Sequence, residues 1–314
     1  MELSRIAPTF IAGHRGLVGT AIHQRLRALG FDNLVTRDQA ELDLTDAAAT
    51  AAFFDQARPT YVFLAAAKVG GILANDTYPA DFIRINLQIQ TNVLSAAHTT
   101  GVDKLLFLGS SCIYPKHAPQ PMKEEHLLTG PLEPTNKAYA IAKIAGLTMC
   151  ESYNRQYGTR FIAAMPTNLY GPGDNFDPET SHVLPAMVRR LHEAKLTGTP
   201  YVTMWGSGQP RREFLYVDDL ADACVFLMEN FEPGDGPVFA NVGVGEDITI
   251  AELAATVAGV VGYDGEIRWN TTKPDGTPRK LLDVSVLANL GWKAKTGLIE
   301  GIRTTYAAYL EQKP

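Results

Sequence analysis

Apolar residues along this chain fall into two alternating rhythms. Short runs rich in β-branched and aromatic residues, "PTFIAG" at 8–13, "NLVT" at 33–36, "TYVFLAAA" at 60–67 and "KLLFLGSS" at 104–111, read as strands buried on both faces. Between them, "LVGTAIHQRLRALG", "DAAATAAFFDQA" and "IRINLQIQTNVLSAAHTTG" carry apolar residues at helical spacing, the first stopped by Gly30. A further helix is expected from Lys137 to about Tyr157, and "RFIAAMPTNLYGPG" supplies another strand that runs into a loop. Strands alternating with helices predict an α/β fold built on a Rossmann-type, doubly wound parallel sheet. Beyond residue 170 the order loosens, with proline and glycine frequent at 171–210, 233–247 and 273–278. The expected division is therefore a main sheet domain over 1–168, rejoined by segments near 213–245, and a smaller, loop-rich α/β region over 169–314.

Composition narrows the classes. With 314 residues, 46% of them hydrophobic and 20% charged, the chain has enough apolar surface for a substantial core. No apolar run approaches the ~20 residues of a membrane span, and "MELSRIAPTF" lacks the apolar centre of a signal peptide, so a cytoplasmic protein without a membrane partner is expected. The 3 cysteines, Cys112, Cys150 and Cys224, are far apart and form no CxxC pair, which points to neither a metal site nor a disulfide framework. A net charge of −6 argues against a nucleic-acid partner.

The first chemical signal is Gly13-His14-Arg15-Gly16-Leu17-Val18-Gly19. Glycines directly after a strand and opening a helix let the backbone turn tightly, approach a pyrophosphate and aim a helix N-terminus at its charge. A second strand that ends in an acidic residue would favour NAD by holding the ribose 2′-hydroxyl. Here it ends Val35-Thr36-Arg37, and Arg37 together with Arg15 suits the 2′-phosphate of NADP(H). Asp38 would repel that phosphate if its side chain turned inward.

The second signal is Tyr139-Ala140-Ile141-Ala142-Lys143. Residues four apart share a helix face, so a phenol and an ammonium can meet one cofactor, the cation favouring proton exchange by the phenol. Ser110, at the end of the strand "KLLFL", can hydrogen-bond the same reacting oxygen. Together these residues and the glycine turn resemble the short-chain dehydrogenase/reductase superfamily in its extended, nucleotide-sugar branch. "RREFLYVDDLADA" at 211–223 is similar to that branch's downstream signature, where an acidic pair precedes a helix that packs back on the nucleotide domain.

The blocks "IAGHRGLVGTAI", "AAAKVGGI", "GSSCIYP", "EPTNKAYAIAKIAG", "MPTNLYGPGDNF", "WGSGQPRREF" and "KPDGTPRKLLD" resemble, in order and nearly word for word, the GDP-L-fucose synthase family. That resemblance implies conversion of GDP-4-keto-6-deoxy-D-mannose to GDP-L-fucose, by epimerisation at carbons 3 and 5 and NADPH-dependent reduction at carbon 4. Epimerisation beside a ketone needs a base on one face and an acid on the other. The resemblance gives those roles to Cys112 and His182 without deciding which is the base, and gives reduction to Ser110, Tyr139 and Lys143. It carries cofactor contact to the glycine turn, Leu108, Gly109, Lys143, Pro166, Thr167, Asn168, Leu169 and His182. Substrate contact goes to Arg190, Trp205, Arg212 and Asp275, one of each adjacent pair Arg189/Arg190, Arg211/Arg212 and Arg279/Lys280 being expected to face the site. Lys68, among the glycines of "AAAKVGGI", is read either as a neighbour of the cofactor or as part of a loop with no ligand contact. His98, His117, His126 and His192 read as ordinary loop, surface or core histidines. The resemblance also implies a homodimer formed by pairing the helices around 86–100 and 137–157.

Overall fold

The computed structural model describes residues 2–177, 180–232, 234, 236–273 and 275–312. The chain enters at β1 (Thr9–Ala12), crosses by α1 (Leu17–Ala28) to β2 (Leu34–Val35), and returns by α2 (Ala47–Ala57) to β3 (Tyr61–Leu64). Next come α3 (Ile72–Thr77), α4 (Pro79–Thr99), β4 (Lys104–Leu108), α5 (Lys137–Tyr157), β5 (Phe161–Pro166) and β6 (Asn168–Tyr170). The second half comprises α6 (Val183–Thr197), β7 (Tyr201–Trp205), β8 (Arg211–Arg212), β9 (Phe214–Tyr216), α7 (Val217–Asn230) and β10 (Phe239–Val242). It closes with β11 (Ile248–Thr249), α8 (Ile250–Val261), β12 (Glu266–Asn270), β13 (Arg279–Lys280), α9 (Ser285–Asn289) and α10 (Leu298–Gln312).

Six parallel strands form the central sheet in the order β10-β5-β4-β3-β1-β2. Every residue of β1, β3, β4 and β5 is buried, as expected for strands covered on both faces. On one face Phe10, Phe54 and Phe107 join a core closed by α2, α4 and α5; on the other Ile11, Ile22 and Leu220 join one closed by α1 and α7. Each fully buried side chain of this size contributes about 1.5–3 kcal/mol. This is the Rossmann-like α/β sheet that the pattern predicts. Strand order reverses between β1 and β3, which opens a crevice at their carboxyl ends, the usual ligand position in such sheets.

A third core gathers Leu184, Val188, Leu253, Val257 and Ile302 from α6, α8 and α10. Small sheets border it: β7 pairs with β12, and β8 lies between β11 and β13. The acidic pair Asp218-Asp219 opens α7, and Asp219 accepts hydrogen bonds from the amides of Lys295 and Thr296, tying the C-terminal segment to that helix.

α4 begins at Pro79, four positions ahead of the apolar run that starts at Ile83, because proline is compatible with the unsatisfied first turn of a helix. After β4 the chain leaves the strand: Ser111–Ile113 form a 3₁₀ turn in which Ser110 Oγ accepts the Cys112 amide at 3.4 Å.

Candidate active site

The glycine turn fits a dinucleotide. Gly13 has φ +87°, and a Cβ there would lie 2.7 Å from the Ala66 backbone, in the loop after β3. At Gly19 a Cβ would lie 2.0 Å from the Gly13 carbonyl oxygen, so only glycine lets α1 start this close to β1. α1 has neither a side-chain cap nor an acidic residue in its first turn, and Gly16 is its N-cap, followed by Leu17 and Val18. Its amides are thus open to an anion. The His14 Nδ1 atom is buried and has no hydrogen-bond partner among the described residues, while the His14 carbonyl accepts Thr20 Oγ1 at 2.9 Å. Gly109, after Leu108, allows close passage beside Met165. Beyond Pro166, Thr167 and Asn168 donate to the Glu213 carbonyl at 3.2 and 2.8 Å, which orients the loop that leads through Leu169.

The arginines near β2 are not arranged as a ready clasp. Arg15 reaches Asp38 at 2.9 Å, and Arg37 turns back to the Thr36 carbonyl at 2.7 Å with its guanidinium 5.6 Å from the Phe53 ring centre. The Asp38 carboxylate therefore sits against one of the two cations expected to meet the 2′-phosphate.

The end of β4 collects the other candidates. The Ser110 hydroxyl lies beside the Tyr139 phenol and favours its ionised form. Burial pushes the Tyr139 phenol well above its usual range, outweighing the help expected from Lys143, whose ammonium lies 5.7 Å from the centre of the Tyr139 ring. Lys143 Nζ donates to the Leu108 carbonyl at 2.6 Å and lies 4.7 Å from the centre of the Phe107 ring. It is 3% exposed, and the loss of hydration pushes its pKa down to about 8. Cys112, 7% exposed, lines a cleft with Glu133, Asn136, Thr277 and Lys280. Burial raises the Cys112 thiol, opposed by the Lys280 ammonium, the Ser110 hydrogen bond and the Lys143 ammonium, in that order.

His182 is the N-cap of α6. Its loop rests on "AAAKVGGI": the Gly71 amide donates to the Thr180 carbonyl at 3.2 Å, and no Cβ fits freely at Gly71 against the Ser181 carbonyl. His182 is exposed overall; partial loss of hydration at the ring, then the Lys280 charge, holds the imidazole below its usual pKa. Lys68 is fixed through its backbone by Asn86, and its ammonium faces Asp81 at 3.9 Å.

The proposed substrate residues occupy two places. Arg190 donates to the Thr203 carbonyl at 3.1 Å on β7, the strand that ends in Trp205, a side chain left 60% exposed. Arg212 is half-buried near the charges of Asp275 and Glu133. Asp275 itself accepts the Ser207 amide and hydroxyl at 2.6 and 2.8 Å, bracing the turn at Gly206. One cation of each adjacent pair is held by a carboxylate: Arg189 pairs with Glu193 at 2.8 Å, and Arg211 and Arg279 both bind Asp247.

Several residues escape sequence reasoning. Glu213, 0% exposed, accepts the amides of Val244, Gly245 and Leu282 at 2.6, 2.7 and 3.0 Å and so pins the loop after β10 and the segment after β13. Asn241 binds Tyr114, Met122 and Asp283, holding the strap that follows Cys112. Glu133 pairs with Lys116 at 3.0 Å, and Asn136 has a buried oxygen without a partner among the described residues. A carboxylate ahead of the Tyr139 helix was the available signal for Glu133; an isolated Glu or Asn elsewhere carries none.

Comparison with known proteins agrees with this geometry. The NAD dependent epimerase/dehydratase family matches residues 9–243. GDP-L-fucose synthase 1 of Arabidopsis thaliana is 60% identical over 97% of this chain and 94% of its own, and the GDP-L-fucose synthase of Escherichia coli (strain K12) is 56% identical over 97% of each. A GDP-L-fucose synthetase of Naegleria fowleri, solved with NADP bound, superimposes with TM-score 0.90 at 28% identity, covering 99% of this chain and 96% of that one. With identities this high over nearly its whole length, the chain belongs to the GDP-L-fucose synthase family.

Proposed function

We infer that the protein converts GDP-4-keto-6-deoxy-D-mannose to GDP-L-fucose, inverting carbons 3 and 5 and reducing the ketone at carbon 4. This reading is supported at the end of β4, where Cys112, a proton-transfer group that a plain reductase does not need, lies beside Ser110, Tyr139 and Lys143, and by Lys280, whose charge acts on both Cys112 and His182. NADPH, when bound, supplies the hydride to carbon 4. The α1 N-terminus, the glycine turn and the β4 and β5 ends would hold it, with Arg15 and Arg37 for the 2′-phosphate.

Ser110 and Tyr139 hold the carbon-4 oxygen and hand it a proton as its charge grows. Lys143 supplies positive charge beside them. Before that step, the ketone makes the hydrogens on carbons 3 and 5 acidic, and one of Cys112 and His182 removes a proton while the other returns one from the opposite face. Arg190, Arg212 and Trp205 grip the nucleotide diphosphate and its base or sugar, with Asp275 positioning the turn beneath them. In this reading 1–168 with the returning segments is mainly the NADP-binding domain, and the remainder mainly receives the GDP-sugar. A homodimer joined through α4 and α5 accords with the exposed Ile141 and Tyr157 on α5, and free thiols at Cys112, Cys150 and Cys224 accord with a cytoplasmic setting.

Incubation with GDP-4-keto-6-deoxy-D-mannose and NADPH in heavy water tests the whole scheme. Deuterium at both carbons 3 and 5 with NADPH consumed is the expected result. Reduction without deuterium would make the protein a simple 4-ketoreductase.

A further inference from the structure

Arg279 and Lys280 form a two-residue strand whose register places Arg279 beside Arg211 and Lys280 beside Arg212. Arg211 and Arg279 both bind Asp247 on one side of this small sheet. Strand alternation turns their neighbours, Arg212 and Lys280, away from Asp247; Lys280 lines the cleft together with Cys112, and Arg279 borders the same cleft while its guanidinium is held by Asp247. The position is built from both directions. The Arg211 amide donates to the Pro278 carbonyl at 2.8 Å, the Leu281 amide to Gln120 Oε1 at 2.9 Å, and the Leu282 amide to Glu213 at 3.0 Å. Glu133, the carboxylate on the same wall, is already engaged by Lys116 at 3.0 Å and by Thr277 at 3.4 Å.

We propose that Lys280 is the positioning cation that lets the Cys112 thiol ionise, so that a strand contributed by the far end of the chain arms the proton-transfer pair. The charged and titratable groups facing this ammonium are Cys112 after β4, Glu133 ahead of α5, Arg212 on β8 and His182 at the start of α6. Lys143 and the Tyr139 phenol also face Cys112; Lys143 favours the thiolate in the same sense as Lys280 but less strongly. Of the groups that favour the thiolate, Lys280 acts most strongly, against the burial that would keep the proton on sulfur; burial also lowers the Lys280 pKa, and the Cys112 thiolate opposes that, so the two charges support each other. The same charge disfavours the His182 imidazolium, which makes that ring, once protonated, a readier proton donor. The inference rests on reading Cys112 as a proton-transfer group in the epimerisations.

The test separates this electrostatic role from simple contact with substrate. Alkylation of the free enzyme by iodoacetamide, followed across pH, reports the Cys112 thiolate without any substrate; Cys150 and Cys224 are fully buried, and a Cys112→Ser control identifies the reacting thiol. In Lys280→Met the alkylation profile moves up by about one pH unit, so labelling near neutral pH slows about tenfold. Lys280→Arg, which keeps the charge, retains most of the wild-type profile. Deuterium incorporation at carbons 3 and 5 falls in parallel in Lys280→Met and recovers at higher pH, while NADPH titration verifies the fold. An unmoved alkylation profile, even with a raised KM, overturns the proposal and leaves Lys280 as a substrate contact alone. Equal shifts in the Met and Arg variants overturn it as well, because charge would then not be the cause. Failure of the wild-type enzyme to exchange deuterium would count against the epimerase reading instead.

Discussion

Replacing Lys143 by Met should stabilise the protein while disabling it. The side chain is 3% exposed, and its pKa falls from 10.5 to about 8 because the ammonium has lost its hydration. A displacement of that size disfavours the charged form by roughly 3 kcal/mol at neutral pH. The unfolded chain binds the proton until pH rises past its ordinary value, whereas the folded chain releases it near pH 8. The cost is therefore complete below about pH 8 and disappears as pH climbs to the unfolded value. Methionine removes the charge but leaves the Leu108 carbonyl without its donor, at a cost of about 1–2 kcal/mol. The net gain near pH 7 is about 1–2 kcal/mol, or a few degrees in Tm for a chain of this size. Urea unfolding of both proteins at neutral and alkaline pH reads the gain and its loss, and NADPH oxidation with the keto sugar should slow by about a hundredfold or more. A variant less stable than wild type at pH 7, or a stability difference that does not change between neutral and alkaline pH, would refute this account of the buried ammonium.

Further outcomes follow from other positions. Gly19→Ala places a methyl group against the Gly13 carbonyl oxygen and should destabilise by about 3 kcal/mol, with weakened NADPH binding by fluorescence titration; unchanged affinity would mean that α1 has room to shift. Asp38→Asn frees Arg15 from its carboxylate and should tighten NADPH about threefold while leaving NADH unchanged; equal tightening of both would exclude repulsion of the 2′-phosphate. Burial raises the Asp174 carboxyl from 3.8 to about 7, so wild-type stability should fall as pH rises between about 4 and 7. Asp174→Asn should remove that slope and be the more stable protein above pH 7 by up to about 4 kcal/mol in denaturant melts, with no advantage below pH 4.

Local sequence carried the sheet and half of the site. β1 and its glycine turn are contiguous, so their chemistry is written within a dozen positions, and Tyr139 and Lys143 meet because a helix repeats every four residues or so. Lys280 was legible only as one of an adjacent basic pair. Its strand has two residues, too few for any period, and its side-chain direction is set by pairing with Arg211–Arg212. Glu213 and Asn241 were invisible for a related reason: their partners are backbone groups in remote loops, and a backbone amide leaves no mark in the sequence. The Asp38 interaction was foreseeable as a charge conflict, but its answer, pairing with Arg15, depends on side-chain rotamers.

The clamp between the strap after Cys112 and the strand at Lys280 also fixes when the enzyme can be complete during synthesis. Leu281 reaches back 161 positions to Gln120, and Asn241 reaches back 119 to Met122. A chain emerging from the ribosome can build β1 to β5 and the glycine turn while these partners are still untranslated. Closing so wide a loop is entropically slow, and it comes last. Nascent or C-terminally clipped protein would therefore recognise the dinucleotide yet lack an assembled cleft, which confines sugar chemistry to chains that have been finished.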